Sequence, residues 1–194
     1  MFNKKDFIYR KRSFYSQEGC THIINFFEKR VDLHQAGSLG DRLDFTQKKS
    51  TDIVLKRREY TLFEDALQTC LKDYMNEYPS SKDVSQWDLS STFRIQRYLP
   101  GEGYFAEHCE HQGPGDGDKR ILAWMVYLND VTDGGYTNFP NQKRRFQPRR
   151  GDVLIWPANF THTHYGITSK TQTKYIATGW CSFMKDEELS KLVS

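Results

Sequence analysis

The chain has 194 residues, with 28 Lys or Arg against 25 Asp or Glu, so its formal net charge is only +3. A length near 200 residues predicts a single domain, 1–194, and a charge this small gives no reason to expect nucleic acid as the partner. The longest apolar run, residues 121–128, is much shorter than the roughly 20 residues that a membrane span needs.

The cellular compartment is predicted from the N-terminus and the cysteines. Residues 1–13 carry five basic side chains but no apolar segment follows them, unlike a secretory signal. Cys20, Cys70, Cys109 and Cys181 lie far apart without a C-x-x-C pair, which favours reduced thiols. We therefore expect a cytoplasmic protein without a membrane partner.

Two helices are predicted in the first half of the chain. Apolar residues at intervals of three and four indicate a helix from Ser16 to about Arg30 and another from about Phe63 to Tyr78, which Pro79 ends. A short strand is predicted at 52–55. Because neither helix carries recognisable chemistry, residues 1–90 are expected to form a helical support region.

After Pro79 the apolar residues recur with the period of strands. Six strands are predicted, at 91–99, 104–110, 120–129, 136–139, 152–156 and 174–183, separated by Gly-rich turns. Many short strands with such turns indicate a barrel or a sandwich. Residues 91–185 are therefore predicted to form the β core.

Strand alternation places several polar side chains on common faces. The first core strand presents on one face Arg94, Gln96 and Tyr98. The last strand presents on one face Lys174, Ile176, Thr178 and Trp180. The lysine of this second face is either solvated at the strand end or has a specific partner.

The sequence His108-Cys109-Glu110, followed much later by His162-Thr163-His164, is a candidate metal site. Residues two apart on a strand face the same way, so His108 and Glu110 can reach one cation. Two imidazoles and a carboxylate form the ligand set of non-haem Fe(II) oxygenases, and zinc hydrolases use the same set. In a chain with six histidines the same pattern often arises by chance, so the pattern alone leaves open either kind of metal site and no metal site at all.

Five motifs in order carry a resemblance to one family. They are Tyr98-Leu-Pro-Gly-Glu-Gly-Tyr-Phe-Ala-Glu-His-Cys-Glu110, Tyr127-Leu-Asn129, Gly134-Gly-Tyr-Thr-Asn-Phe-Pro140, Gly151-Asp-Val-Leu-Ile-Trp-Pro157, and His164-Tyr-Gly166 with Lys174-Tyr-Ile-Ala-Thr-Gly-Trp180. Over residues 92–183 the chain resembles the prolyl 4-hydroxylase-like branch of the Fe(II)/2-oxoglutarate-dependent oxygenases.

The resemblance implies a fold and an activity. The fold is α+β but mainly β, with a double-stranded β-helix (jelly-roll, cupin-like) core and the N-terminal helices packed outside. The activity is that of a dioxygenase that uses Fe(II), 2-oxoglutarate and O₂ to hydroxylate a C–H bond, with release of succinate and CO₂. A prolyl or other side chain of a peptide or protein is the first expected substrate, and a free amino acid is the alternative.

The resemblance also implies site residues. The metal ligands are His108, Glu110 and His164. Lys174 pairs with the far carboxylate of 2-oxoglutarate, and further hydrogen bonds come from Thr178, Tyr98 and Tyr127. One residue departs from the family, in which Asp is the usual carboxylate ligand, because Glu110 is longer by one methylene group.

Other residues near these motifs have open roles. His162 shares a face with His164 if the segment is extended, so it is an alternative ligand, a support for His164 or a substrate-facing residue. His111 is expected at the surface. Arg94 and Arg120 are expected to line the pocket, and the alternative for Arg120 is that it begins its strand in solvent. The Gly-rich segment 112–118 is a candidate cover for the site. The basic segment 143–150 is either a solvated hairpin tip or a contact for an acidic peptide or nucleic acid.

Two other classes of protein remain as alternatives. A non-catalytic β-barrel metal-binding or interaction protein would share the fold, and a zinc hydrolase would share the ligand set. Neither class needs a carboxylate receptor made of Lys174 and Thr178, so the oxygenase is preferred.

Overall fold

The computed structural model describes residues 5–39, 42–61, 63–111 and 119–184. Within these ranges lie two α-helices, α1 (Gln17–Lys29) and α2 (Glu64–Glu77), and twelve β-strands. The strands are β1 (Tyr9–Lys11), β2 (Gln35–Ala36), β3 (Lys48–Lys49), β4 (Thr51–Lys56), β5 (Trp87–Tyr98), β6 (Gly103–Tyr104), β7 (Arg120–Tyr127), β8 (Thr137–Phe139), β9 (Arg144–Phe146), β10 (Val153–Pro157), β11 (Tyr165–Gly166) and β12 (Lys174–Phe183). Neither described helix has the length and apolar character that crossing a membrane would require.

The described strands form one large sheet and two small ones. The seven-stranded sheet has the order β1-β10-β7-β12-β5-β4-β2, and the three-stranded sheet has the order β11-β8-β9. The pair β3-β6 forms the third sheet. All pairings are antiparallel, as expected where connections are short and no helix has to cross between parallel strands.

The helices cover one face of the seven-stranded sheet. Ser16 begins α1 by accepting a hydrogen bond from the Gly19 amide at 2.9 Å. Ile23 and Phe27, one helical turn apart, then pack with apolar residues of α2 and of the large sheet. Helix α2 ends at Glu77, before Pro79, as its sequence predicts, and the role of both helices as support for the core stays a prediction.

A second apolar layer lies between the seven-stranded and three-stranded sheets. Its fully buried members include Tyr127, Phe139, Phe146, Leu154 and Trp156, which come from strands of both sheets. Tyr98 and Ile176 belong to the same layer. Several of the polar residues that the sequence singles out therefore lie next to or within the interior between the sheets.

The predicted strand at 104–110 is wrong over most of its length. Only Gly103–Tyr104 is a strand, because the Phe105 and Ala106 amides both turn to the Gln47 carbonyl oxygen, at 2.7 and 3.2 Å. His108 instead forms an isolated antiparallel bridge with His164. Residues 112–118, the candidate cover, lie outside the described residues.

The N-terminal region supplies strands as well as helices. β1, β2 and β4 all belong to the seven-stranded sheet, and of these only β4 is predicted from the sequence. The division of the chain at residue 90 stays a prediction. Within the basic segment 143–150 the structure has β9, and Arg144 pairs with Asp6, so this segment is not simply a solvated tip.

Candidate metal centre

His108, Glu110 and His164 come together in one cluster. Their ligand atoms all lie within 4.8 Å of one another. Glu110 Oε1 is 3.6 Å from His108 Nε2 and 3.3 Å from His164 Nε2. The backbones of the two histidines exchange hydrogen bonds of 3.0 and 2.8 Å, which joins the two distant segments. The Glu110 amide is held by the Ala158 carbonyl oxygen at 2.9 Å.

The backbone fixes which nitrogen of each histidine faces the cluster. His108 Nδ1 lies 2.9 Å from the Ala106 carbonyl oxygen, and His164 Nδ1 lies 3.0 Å from the His162 carbonyl oxygen. A ring nitrogen that faces a carbonyl carries the proton and donates it. Each Nε2 is therefore left with a lone pair for a cation, the arrangement that metal-binding histidines usually have.

His164 is buried, His108 and Glu110 are half-buried, and the charges of the three side chains depend on one another. Burial acts to raise the pKa of the Glu110 carboxyl, but the contacts with His108 and His164 outweigh burial and hold that pKa well below its usual value. Burial, followed by the neighbouring His164, lowers the pKa of His108. Near neutral pH the cluster thus offers a carboxylate and a neutral imidazole at these positions, the forms that bind a divalent cation.

Aromatic rings hold both histidines in place. Tyr104 stacks on His108 with ring centroids 3.5 Å apart and planes 9° from parallel. Trp156 packs edge-on against His164 at 5.0 Å, and Phe139 lies 5.3 Å away. The sequence does not predict the stacking of Tyr104 on His108, because a contact between residues four apart in an irregular segment leaves no periodic pattern.

The second oxygen of Glu110 has a different set of partners. The Trp180 indole Nε1–H donates a hydrogen bond of 2.7 Å to Glu110 Oε2. The Arg120 guanidinium lies 3.7 Å from the centre of the Trp180 ring and donates to the Glu110 carbonyl oxygen at 3.0 Å. Strand alternation predicts that Trp180 shares a face with Lys174, but it does not predict the contact between Trp180 and Glu110.

Lys174 is buried, with 6% of its surface exposed, and its ammonium has neutral partners. It donates to the Gly135 carbonyl oxygen at 3.2 Å and lies 4.8 Å from the centre of the Tyr98 ring. Burial lowers the pKa of Lys174 to about 8. Among the residues that the structure describes, no carboxylate pairs with it. A buried ammonium without an anion is costly, so this position suits a ligand that brings a carboxylate.

The other predicted co-substrate residues have protein partners for their hydroxyl protons. Tyr98 donates to Gln96 Oε1 at 3.0 Å, Tyr127 donates to Thr137 Oγ1 at 2.7 Å, and Thr178 donates to the Trp124 carbonyl oxygen at 2.8 Å. Their oxygens can still accept hydrogen bonds, but they do not offer the free donors that a carboxylate needs. Their role as co-substrate residues therefore stays a prediction.

His162 lies outside the cluster. Its Nε2 is 2.8 Å from the Asp6 carbonyl oxygen and its Nδ1 is 2.8 Å from Thr161 Oγ1, so both ring nitrogens are engaged. The structure thus brings His164, rather than His162, to His108 and Glu110. His111 is exposed, as expected.

Sequence comparisons relate the second half of the chain to an oxygenase superfamily and to proteins named as prolyl 4-hydroxylases. Residues 93–182 match the model of the 2OG-Fe(II) oxygenase superfamily. A protein of Acanthamoeba polyphaga mimivirus named "Putative prolyl 4-hydroxylase" is 30% identical over 110 residues, covering 48% of this chain and 46% of that protein. "Probable prolyl 4-hydroxylase 9" of Arabidopsis thaliana is 27% identical over 123 residues, covering 50% of this chain and 42% of that protein. The chain thus spans less than half the length of these relatives.

Solved structures share the fold over nearly the whole chain. The viral collagen prolyl hydroxylase of Paramecium bursaria Chlorella virus-1, in complex with 2OG, superposes with a TM-score of 0.71 at 20% identity, covering 92% of this chain and 97% of that one. A Trichoplax adhaerens prolyl hydroxylase in complex with a hypoxia inducible factor peptide fragment gives a TM-score of 0.68 at 16% identity, covering 98% and 88%.

Together, the facing sheets, the family match and the His-Glu-His cluster indicate the class of protein that this chain resembles. The chain has the double-stranded β-helix fold, and its residues 93–182 match the 2OG-Fe(II) oxygenase superfamily. Its relatives in sequence are named as prolyl 4-hydroxylases. Fe(II), 2-oxoglutarate and O₂ are the cofactor and co-substrates of this family, and the donor set of the cluster fits the iron.

Proposed function

We propose that this chain is a dioxygenase that uses Fe(II) and 2-oxoglutarate to hydroxylate a C–H bond, with release of succinate and CO₂. One observation carries the proposal: the His108, Glu110 and His164 cluster is accompanied by a buried lysine ammonium that has no carboxylate partner among the described residues. An iron site and a receptor for a dicarboxylic acid are the two elements that this reaction requires.

Each residue of the site has a proposed task. His108, Glu110 and His164 would hold the iron, which supplies the oxidation chemistry when it is bound. Lys174 would pair with the far carboxylate of 2-oxoglutarate, a charge-assisted contact that is strong where water is excluded. Thr178, Tyr98 and Tyr127 would donate hydrogen bonds to the same co-substrate by turning their hydroxyl protons away from their present protein acceptors. The chain itself contributes binding, orientation and a dry interior.

The proposed substrate is a prolyl or other side chain in a peptide or protein. Support comes from the relatives, which are named as prolyl 4-hydroxylases, and from a similar structure that holds a peptide fragment. A free amino acid is the other outcome of a substrate screen. The proposal does not include nucleic acid or a membrane as partner.

Spectroscopy and product analysis test this function. Anaerobic addition of Fe(II) and then 2-oxoglutarate should give a weak visible charge-transfer band, and Lys174→Met should lose it at co-substrate concentrations that saturate the parent. Lys170→Met is the matched control, because Lys170 is exposed. Succinate is then measured against a panel of proline-containing peptides and free amino acids.

The same experiment separates the alternatives. A zinc hydrolase or a non-catalytic barrel would give no such band, and no succinate would form with any substrate. No feature of the described residues favours either alternative specifically, whereas both leave the buried ammonium of Lys174 without a purpose.

A cytoplasmic location and a single domain belong to the same proposal. Cys20, Cys70 and Cys181 are free and buried, which suits a reducing compartment. The proposed support region 1–90 and the proposed core 91–185 share the seven-stranded sheet, which supports treating 1–194 as one domain.

A further inference from the structure

We propose that Trp180 is a positioning residue that orients the carboxylate of Glu110, and that Arg120 holds Trp180 in place for this task. The pair adapts the site to a glutamate ligand. The inference rests on the proposed function in one respect, namely that Glu110 binds the metal.

The two oxygens of Glu110 are divided between two sets of partners. Oε1 faces the Nε2 atoms of His108 and His164, at 3.6 and 3.3 Å. Oε2 accepts the indole N–H of Trp180 at 2.7 Å. A glutamate side chain has one more rotatable bond than an aspartate, so it needs one more constraint to keep an oxygen on the histidines. The indole N–H supplies that constraint.

The position of the Trp180 ring is fixed by the Arg120 guanidinium, which packs on one face of the ring and is itself held by a backbone carbonyl. The Arg120 guanidinium lies 3.7 Å from the centre of its ring, close enough for a cation–π contact. The same guanidinium donates to the Glu110 carbonyl oxygen at 3.0 Å, and its Nη1 is 3.9 Å from Glu110 Oε2. Arg120 thus touches both members of the hydrogen bond. It ties the indole to the segment that carries the carboxylate.

The local strand pairing suits this position. Trp180 pairs with Ala123 on β7, but the register between β12 and β5 shifts between Gly179 and Cys181. Among the described pairings, Trp180 therefore has no partner on β5. A break in the ladder is a common device for directing a side chain near a functional site.

The arrangement is specific for glutamate. An aspartate at position 110 would be shorter by one C–C bond, about 1.5 Å. With the backbone of residue 110 unmoved, the whole carboxylate would be drawn back by this length, so its two oxygens could not keep both the contact with the histidines and an indole hydrogen bond within roughly 3.2 Å. The contribution of Trp180 to metal binding should therefore depend on which carboxylate is present.

The hydrogen bond can be observed without any metal. The four tryptophans each give an indole N–H signal in a ¹H–¹⁵N spectrum, and Trp180→Phe identifies the signal of Trp180. We expect Glu110→Asp to move that signal upfield and to leave the signal of Trp87, which donates to the Ser81 carbonyl oxygen, in place. An unmoved Trp180 signal would contradict the proposed contact.

Metal affinity tests the positioning role with a double-mutant cycle. Titration with Co(II) should give a dissociation constant roughly 10- to 100-fold higher for Trp180→Phe than for the parent, the usual effect of removing a group that orients a ligand. In the Glu110→Asp background the same substitution should change it less than about threefold, since the interaction is already absent. Equal effects in both backgrounds, or none in the parent, would overturn the proposal.

Two further variants complete the experiment. Trp87→Phe is the matched control, because Trp87 is half-buried like Trp180 and its indole N–H also donates to an oxygen, the Ser81 carbonyl. It should leave Co(II) affinity within about twofold of the parent, because Trp87 donates to the Ser81 carbonyl and not to a group of the cluster. If Trp180→Phe does not fold, Arg120→Met should raise the Co(II) dissociation constant in the Glu110 background only, and an equal rise in both backgrounds would overturn the role of the pair.

Glu110→Ala separates this inference from the proposed function. A variant that keeps the parent's Co(II) affinity would remove Glu110 from the ligand set and with it the metal site as proposed. Loss of affinity in Glu110→Ala with no effect of Trp180→Phe would leave the metal site intact and refute only the role of Trp180.

Discussion

Lys174 and Tyr98 face each other across the antiparallel pair of β12 and β5, with the lysine ammonium 4.8 Å from the centre of the tyrosine ring. The tyrosine hydroxyl is turned away to Gln96, and the ammonium donates to the Gly135 carbonyl oxygen. The charge is therefore stabilised by a ring face and a dipole, both of them neutral. No carboxylate of the described residues pairs with the Lys174 ammonium, so a dicarboxylic acid bound in the site would supply the negative charge that this ammonium lacks.

Lys174→Met should weaken 2-oxoglutarate binding roughly 10- to 100-fold, because a hydrogen bond to a charged group contributes about 1.5–3 kcal/mol. The fold should survive, since the aliphatic part of the side chain is kept and a costly buried charge is removed. Calorimetric titration of the metal-loaded protein with 2-oxoglutarate measures the effect, and Lys170→Met serves as control. An affinity equal to that of the parent would remove Lys174 from the co-substrate site.

The depressed pKa of Lys174 predicts two opposite pH dependences. The pKa is about 8 in the folded protein and 10.5 in the reference state, so between these values the unfolded chain binds more protons than the folded one. The contribution of Lys174 to stability therefore rises with pH across this window. Affinity for 2-oxoglutarate should instead fall above pH 8, by up to about tenfold per unit, because the neutral amine cannot pair with the carboxylate.

Parallel titrations of the parent and Lys174→Met between pH 6.5 and 9.5, roughly one and a half units either side of the folded pKa, check this dependence. The parent should lose 2-oxoglutarate affinity above pH 8, whereas the variant should bind weakly at every pH. The same decline in both proteins would assign the titration to another group.

Substitution of the two neighbouring histidines should separate metal binding from stability. His164→Ala should abolish measurable Co(II) binding, because it removes one of three ligand atoms. His162→Ala should keep the affinity within a few-fold but reduce the free energy of unfolding by about 1–3 kcal/mol, since it removes a buried side chain and the hydrogen-bond partner of the half-buried Asp6 carbonyl. Metal loss only in His162→Ala would show that the distal ligand is wrongly assigned.

A buried ion pair near the site should be important for stability. Lys48 and Asp52 are 3.1 Å apart with side chains only 3% and 1% exposed, and Asp52 also accepts from Ser50 and Gln96. Asp52→Ala would leave the lysine charge buried and unpaired, which costs about 3–5 kcal/mol and should lower the melting temperature by roughly 10 °C.

Lys56→Ala is the control for this pair, because the contact of Lys56 with Glu59 is exposed. Exposed pairs contribute at most about 1 kcal/mol, so a calorimetric melting scan should show little change. Equal melting temperatures for both variants would contradict the importance of the buried pair.

The sequence leads to the residues of the metal cluster, His108, Glu110 and His164, although the strand that it predicts at 104–110 is wrong over most of its length. Alternation along a predicted strand places His108 and Glu110, two residues apart, on one face, but the structure has no strand at these residues. The two side chains converge because His108 bridges to His164 and the Glu110 amide binds the Ala158 carbonyl oxygen. The alternation argument for Lys174 is sounder, since β12 pairs with β5 in continuous register from Lys174 to Gly179 and the lysine is buried.

The features that were missed depend on contacts between segments far apart in the sequence. Trp180 meets Glu110 across the interior, and nothing in either local sequence encodes the distance between them. β1 is a three-residue strand of Tyr, Arg and Lys, too short and too charged to show an apolar period. Its pairing with β10 is decided by tertiary structure, which periodicity cannot describe.

The first strand has a practical consequence for work on this protein. β1 pairs with the outer edge of β10. Just before β1, the Asp6 carbonyl oxygen contacts the ring of His162, and the His162 carbonyl oxygen contacts His164 Nδ1. A fragment trimmed to residues 93–182 would lose β1 and the contact with Asp6, and it would expose the unpaired edge of β10 to neighbouring molecules. If such a fragment were inactive, aggregation and a displaced His164 imidazole would explain the result, and it would not show that the whole chain lacks enzymatic activity.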